Sequence, residues 1–151
     1  MRGLLAITVA IALSIAPRHL GAKSATELIV IVNPRNRATI SAATLEGVFL
    51  RRDRHWPGGA VAVPLNLAPD SGSRQLFDRV VLGMEPDDVA RYWLDQRIRD
   101  GTSAPREIAD PAVVVKLVAH FEGAIAYVPA ATELDGVTIV ARIRDNKVVS
   151  P

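Results

Sequence analysis

Apolar and polar positions alternate along the chain in a way that separates short strands from amphipathic helices. Glu27–Val32 (ELIVIV) is an apolar, β-branched run stopped by Asn33-Pro34. It reads as a buried strand, of the kind parallel sheets use. Ser41 then caps a helix predicted to run to about Leu50, with Leu45, Val48 and Phe49 on one face. A polar loop from Arg51 to Gly59 follows, and Ala60–Leu67 (AVAVPLNL) reads as a second strand. Pro64 places that strand at an edge or bends it, because proline has no N–H to give a ladder.

Asp70–Ser73 leads into a helix with Leu76, Phe77, Val80 and Val81 as its stripe, closed by Gly83. Glu85-Pro86-Asp87-Asp88 opens the next helix, with proline in the first turn and acids at the positive end of the dipole. On that helix Val89, Tyr92 and Trp93 are expected to face inward. Asp87 with Arg91 and Asp95 with Arg99 are expected to pair at i,i+4. Arg99 to Ala109 reads as a polar loop. Asp110-Pro111 starts a further helix with Val114, Leu117, Val118 and Phe121 in its stripe, ended by Gly123. Ala124–Val128 and Val137–Ile143 read as closing strands, and Ser150-Pro151 as a tail. Strands interleaved with amphipathic helices predict an α/β fold: a small mixed, mainly parallel sheet flanked by helices.

The first residues follow a different pattern. Met1, Arg2 and Gly3 precede an apolar stretch from Leu4 to Ala16, Pro17 ends it, and Gly21, Ala22, Ser24 and Ala25 gather behind it. This is the charged tip, apolar core and small-residue zone of a secretory signal. The apolar run is about 13 residues, short of the roughly 20 a spanning helix needs. Residues 1–25 therefore read as a signal peptide cleaved after Ser24 or Ala25. Residues 26–149 read as one domain, periplasmic or secreted, with no stable membrane insertion.

Charge changes meaning once the leader is set aside. The chain holds 18 Lys plus Arg and 16 Asp plus Glu, a net of +2. The leader carries Arg2, Arg18 and Lys23 and no acid, so removing those three from 18 leaves 15 basic residues against 16 acidic ones, a net of −1. A nucleic-acid reading based on the basic pI of 9.4 is withdrawn. With no cysteine, disulfides, thiolate metal sites and a cysteine nucleophile are excluded.

The candidate chemistry centres on Ser71, Gly72, Ser73 and Arg74. They follow a strand and open a helix, where unpaired N–H groups and the dipole favour an oxyanion. Two hydroxyls, a glycine and a guanidinium add phosphate-type donors. The same residues also fit a simpler role, with Ser71 or Asp70 capping the helix and Arg74 in solvent. Arg51–Trp56 holds three arginines, His55 and Trp56. It reads either as an anion- or partner-binding patch, or as a solvated turn with Trp56 tucked onto the core. His55 and His120 lack metal-type spacing, and no cofactor is expected. No nucleophile-elbow pattern surrounds Ser71 or Ser73, so no catalytic residue is assigned and the protein is not expected to be an enzyme.

In order and spacing these segments resemble the phosphate-type substrate-binding proteins of ABC transporters, in the periplasmic binding protein-like superfamily. Thr44–Leu50 resembles a helix ending in an Ile-Phe-Leu-Gly-like run, and Trp56–Gly59 the tryptophan and turn after it. Ala62-Val63-Pro64 resembles the next strand. Asp70–Ser73, continuing to Phe77, resembles the Ser-Gly-Thr segment that holds phosphate. Tyr92-Trp93 fits an often aromatic helix position, and Glu122–Val128 resembles a late Pro-Gly-Ala-Ile-Gly-Tyr-Val strand. The departures are Leu67 at an arginine position, Ala126 at a glycine, and the lack of a first lobe.

The resemblance implies one lobe of a type II periplasmic binding protein, with phosphate or a similar oxyanion as ligand in an ABC phosphate uptake system. A second copy of the chain could complete the site as a homodimer. The alternative is a ligand-free interaction module that binds a sensor or transporter ectodomain.

Overall fold

The computed structural model describes residues 27–151. The predicted leader, with its cleavage after Ser24 or Ala25, lies outside the described residues. Six strands form one sheet in the order β3-β2-β4-β1-β5-β6. They are β1 (Glu27–Val32), β2 (Val63–Leu67), β3 (Arg106–Ile108), β4 (Ala124–Pro129), β5 (Thr138–Arg144) and β6 (Lys147–Val149). The helices are α1 (Ala42–Phe49), α2 (Gly72–Phe77), α3 (Pro86–Asp100) and α4 (Pro111–His120). A π-helical turn, Asp78–Leu82, extends α2 to Gly83, whose φ of 64° suits a glycine.

The α/β class holds, with the parallel share corrected. β2 runs parallel to β3 and to β4, whereas β1 is antiparallel to both β4 and β5, and β5 to β6. The apolar run of β1 reflects burial on both faces at the centre of the sheet. Its direction is set by partners about a hundred residues downstream, which local pattern does not encode: Leu28 lies opposite Pro129, and Glu27 opposite Arg144.

Two strands escape the hydrophobic pattern. β3 (REI) lies within the stretch read as a polar loop, and β6 (KVV) just before the tail. Both are three-residue edge strands, which need little apolar surface. β5 and β6 are joined by Asp145-Asn146 at φ 51° and 55°, the left-handed pair of a tight hairpin.

β2 begins at Val63 and not Ala60. The segment before it spends its hydrogen bonds on the preceding loop: Trp56 N–H donates to Ala60 O, and Ala62 N–H to Arg54 O. Pro64 sits inside the sheet order, yet only half-engaged. Val63 N–H donates to Gly123 O on the β4 side, so Pro64 nitrogen faces the other side, where pairing with β3 starts only at Leu65. The sheet is locally an edge there, and the missing N–H costs nothing.

Phe49, Phe77 and Tyr127 tie α1 and α2 to one face of β4. Phe77 stacks on Tyr127 with ring centroids 3.9 Å apart, and Phe49 lies 4.5 Å from Phe77. α4 packs on β4, β1 and β3 through Val114, Val115 and Val118. The crossovers β2-to-β3 and β3-to-β4 move in opposite directions along the sheet. Right-handed crossovers then place α2 and α4 on opposite faces. Phe121, expected in the α4 stripe, is 52% exposed instead, because the helix ends at His120 and Phe121 is already extended. The expected pairs on α3 are replaced by an Arg91–Asp88 contact. No helix among the described residues is long and apolar enough to cross a membrane.

Candidate functional site

The loop after β2 turns tightly before α2. Ser71 N–H donates to Ala68 O at 3.0 Å, and the Ser71 hydroxyl donates to the same carbonyl at 2.7 Å. Ser71 is extended, and its oxygen accepts from Arg74 N–H at 3.2 Å. Ser71 is therefore the N-cap, and Asp70 is an exposed turn residue. The N–H groups of Gly72 and Ser73 have no acceptor among the described residues, as the first turn of a helix requires. Ser73 is buried apart from 7% of its surface, and its hydroxyl makes no hydrogen bond among the described residues.

Arg74 does not point to bulk solvent, nor does it converge with Ser71. It turns inward and is 3% exposed. Its Nε donates to both Asp78 oxygens, at 3.0 and 2.8 Å, and its Nη1 to Leu67 O at 3.2 Å. Glu107, half-exposed on β3, lies 3.5 Å from Nη1. The guanidinium thus reaches back to the end of β2, beside the Leu67 position where the resemblance places an arginine.

A buried polar cluster that the sequence reading missed surrounds it. Tyr127 hydroxyl donates to Asn66 Oδ1 at 3.2 Å and accepts from Leu67 N–H at 3.4 Å. Burial pushes the Tyr127 phenol far above its ordinary pKa. Burial also raises the Asp78 carboxyl, an effect that Arg74 offsets only in part. Asp78 follows Arg74 by one helical turn, a spacing visible in the sequence. Asn66 in an otherwise apolar strand was the other available signal.

The Arg51–Trp56 loop is not a concentrated cationic patch. Arg52 pairs with Glu46, and Arg54 donates to Arg51 O and, at 2.9 Å, to Thr102 Oγ1. Trp56 is 5% exposed and donates Nε1–H to Gly123 O at 3.0 Å, so it is tucked onto the core. His120 lies edge-on to Phe121, and His55 bridges to Val61. Among the described residues no three His, Asp or Glu side chains are grouped to hold a metal ion. A separate cavity of about 320 Å³ lies between the loop after β1 and the Trp56 turn, lined by Arg35, Asn36, Arg37, Trp56 and Glu122.

Solved structures share this architecture. An ABC-type phosphate transport receptor from Vibrio cholerae matches 77% of the chain at a TM-score of 0.59 and 15% identity. A putative phosphate ABC transporter substrate-binding protein from Clostridium perfringens, with bound phosphate, matches 78% at a TM-score of 0.61 and 18% identity. The chain has the fold of a lobe of these receptors. PstS from Borrelia burgdorferi matches 67% of the chain at a TM-score of 0.50 and 16% identity, with 39% of its own length covered. The chain spans 47% of the Vibrio receptor and 46% of the Clostridium protein, so it corresponds to just under half of each. These neighbours are described as transport receptors and binding proteins, not enzymes. No family model and no curated protein matches the sequence.

Proposed function

We propose that the protein is an exported solute-binding lobe that holds phosphate or a similar oxyanion at the start of α2, in or derived from an ABC phosphate uptake system. Residues 1–25 act as its signal, and residues 26–149 fold as the binding unit in the periplasm or outside the cell. The observation that carries the reading is the unspent donor set at one turn: Gly72 N–H, Ser73 N–H and the Ser73 hydroxyl. Oriented N–H groups at a helix start suit an oxyanion without a metal. Ser71 contributes by fixing the turn, since its own hydroxyl proton is committed to Ala68. Arg74 contributes by holding the base of the turn, its guanidinium committed to Asp78 and the Leu67 carbonyl rather than forked on the ligand.

A single lobe leaves the anion in contact with water, which weakens charge-assisted bonds. Affinity should therefore be modest. Calorimetric titration of the purified protein with phosphate and sulfate tests the reading. Binding in the millimolar range or tighter is expected, weakened about tenfold in Ser73→Ala, the equivalent of about 1.4 kcal/mol. Absence of heat at millimolar anion from a protein with intact circular dichroism would sink it. Cell fractionation with mass spectrometry of the N-terminus tests export.

A further inference from the structure

The loop after β1 leaves the sheet at the end opposite the α2 start. β1 ends beside the beginning of β4, with Val32 opposite Ile125, and β2 begins there too, with Val63 opposite Ala124. The length of β2, about 13 Å at strand rise, separates this end from Leu67 and the turn after it. Asn33 pins the loop. Its Nδ2 donates to Val118 O at 3.1 Å and to Ala119 O at 2.8 Å, and its Oδ1 accepts from Arg35 N–H at 3.0 Å. Asn36 N–H then donates to Asn33 O, and Asn36 Oδ1 accepts from Ala38 N–H, both at 2.9 Å. These bonds fix which way the Asn36 amide faces. Its Nδ2 is buried and has no acceptor, the one such side-chain atom among the described residues. A buried donor without an acceptor is costly, so the loop calls for an oxygen that the chain does not supply.

Asn36 stands between Arg35 and Arg37 on the wall of the cavity of about 320 Å³, a volume at the lower end of small-molecule sites. Trp56 and Pro57 give the cavity an apolar side, and the Trp56 Nε1–H is already committed to Gly123 O. Glu122 lines it as well. Arg35, Arg37 and Glu122 are exposed, and none of the three has an ion-pair partner among the described residues. Two cations and an anion around one small cavity, none paired with another, make it bipolar. A simple anion would be repelled by Glu122 and a simple cation by the arginines, whereas a molecule carrying both charges satisfies all three. We propose that this cavity binds a free α-amino acid with an apolar side chain. Its carboxylate faces Arg35, Arg37 and the Asn36 amide, its ammonium faces Glu122, and its side chain lies against Trp56 and Pro57. Guanidinium donors suit a carboxylate in this role. Nδ2 is sealed from water as the loop stands, so the loop adjusts on binding to bring the amide to the carboxylate. The site shares no residue with the α2 start and does not depend on the phosphate reading.

Calorimetric titration of the purified protein with L-leucine and L-phenylalanine tests the site. The expected result is binding of at least one of them in the millimolar range or tighter. Arg35→Gln combined with Arg37→Gln should weaken it at least tenfold, and so should Glu122→Gln. Analogues separate the two charges: isocaproate and hydrocinnamate keep only the carboxylate, and isoamylamine and phenethylamine only the ammonium. Each should bind at least tenfold more weakly than its parent amino acid, and Glu122→Gln should not weaken the carboxylate analogues further. Circular dichroism of the variants should be unchanged, because the three charged side chains are exposed. Absence of heat with both amino acids in the millimolar range, from a folded protein, overturns the proposal. So does a one-charge analogue that binds as tightly as its parent, or an affinity unmoved by the paired arginine substitutions.

Discussion

Arg74 Nε is shared between both carboxylate oxygens of Asp78, one helical turn on, with both side chains about 95% buried. The pair joins the first turn of α2 to its π-helical extension. A buried ion pair of this sort stabilises little in sum, but breaking it leaves an uncompensated charge. Arg74→Met should therefore lower unfolding stability by about 3 kcal/mol, read by denaturant titration. Combining it with Asp78→Leu should recover most of that loss, because no charge is then left buried.

The pH dependence of Arg74→Met follows from the same pair. The native Asp78 carboxyl holds its proton more tightly than the unfolded one, whose ordinary value is 3.8. Ionising it therefore costs stability as pH rises from 3.8 through the native value. Removing Arg74 removes the influence that lowers the native value, so the window widens upward. The stability gap between wild type and Arg74→Met should be smallest below pH 3.8 and grow toward neutrality. A gap that is constant with pH would contradict this.

Gly123 is required by space rather than by backbone freedom. A Cβ there would lie 1.9 Å from Val61 O, while Gly123 O accepts from both Trp56 Nε1–H and Val63 N–H. Neither side of that contact can yield without moving the start of β2. Gly123→Ala should cost about 2 kcal/mol, as overpacking does, and should change Trp56 fluorescence. Gly47→Ala is the control. Its Cβ would meet the exposed Asp53 side chain, which can swing away, so its cost should be much smaller.

Tyr127 and Tyr92 should separate in an alkaline absorbance titration. Tyr127 is fully buried, and its phenol should ionise only as the protein unfolds. Tyr127→Phe keeps the stack on Phe77 but leaves Asn66 Oδ1 without that partner. A loss of about 1 kcal/mol is expected.

Asp110 caps α4 by accepting from Ala112 N–H at 2.8 Å. Asp110→Ala should cost about 1 kcal/mol in thermal or chemical unfolding, and Asp110→Asn much less.

Where a segment is long and its apolar stripe meets the core, the sequence predicts the element. α1, β1, α4 and β4 sit within a residue or two of their expected bounds, and Ser41 and Asp110 cap where they should. β3 and β6 escape because an edge strand of three residues needs backbone partners more than apolar side chains. Strand direction escapes because β1 is oriented by residues near the far end of the chain. At the candidate site, the cap at Ser71 and the helix start were legible. The inward turn of Arg74 was not, although Asp78 stood four residues away: an i,i+4 pair reads as a surface feature until burial is known.

One of the two middle strands of the sheet, β1, is also the first strand among the described residues. β1 takes its neighbours from β4 and β5, so the middle of the sheet is assembled from segments about a hundred residues apart. Until β4 and β5 are made, ELIVIV lacks both of its neighbours in the sheet. Contacts of such long sequence separation slow folding. The middle of the sheet therefore cannot close before residues 124–144 are there to flank β1.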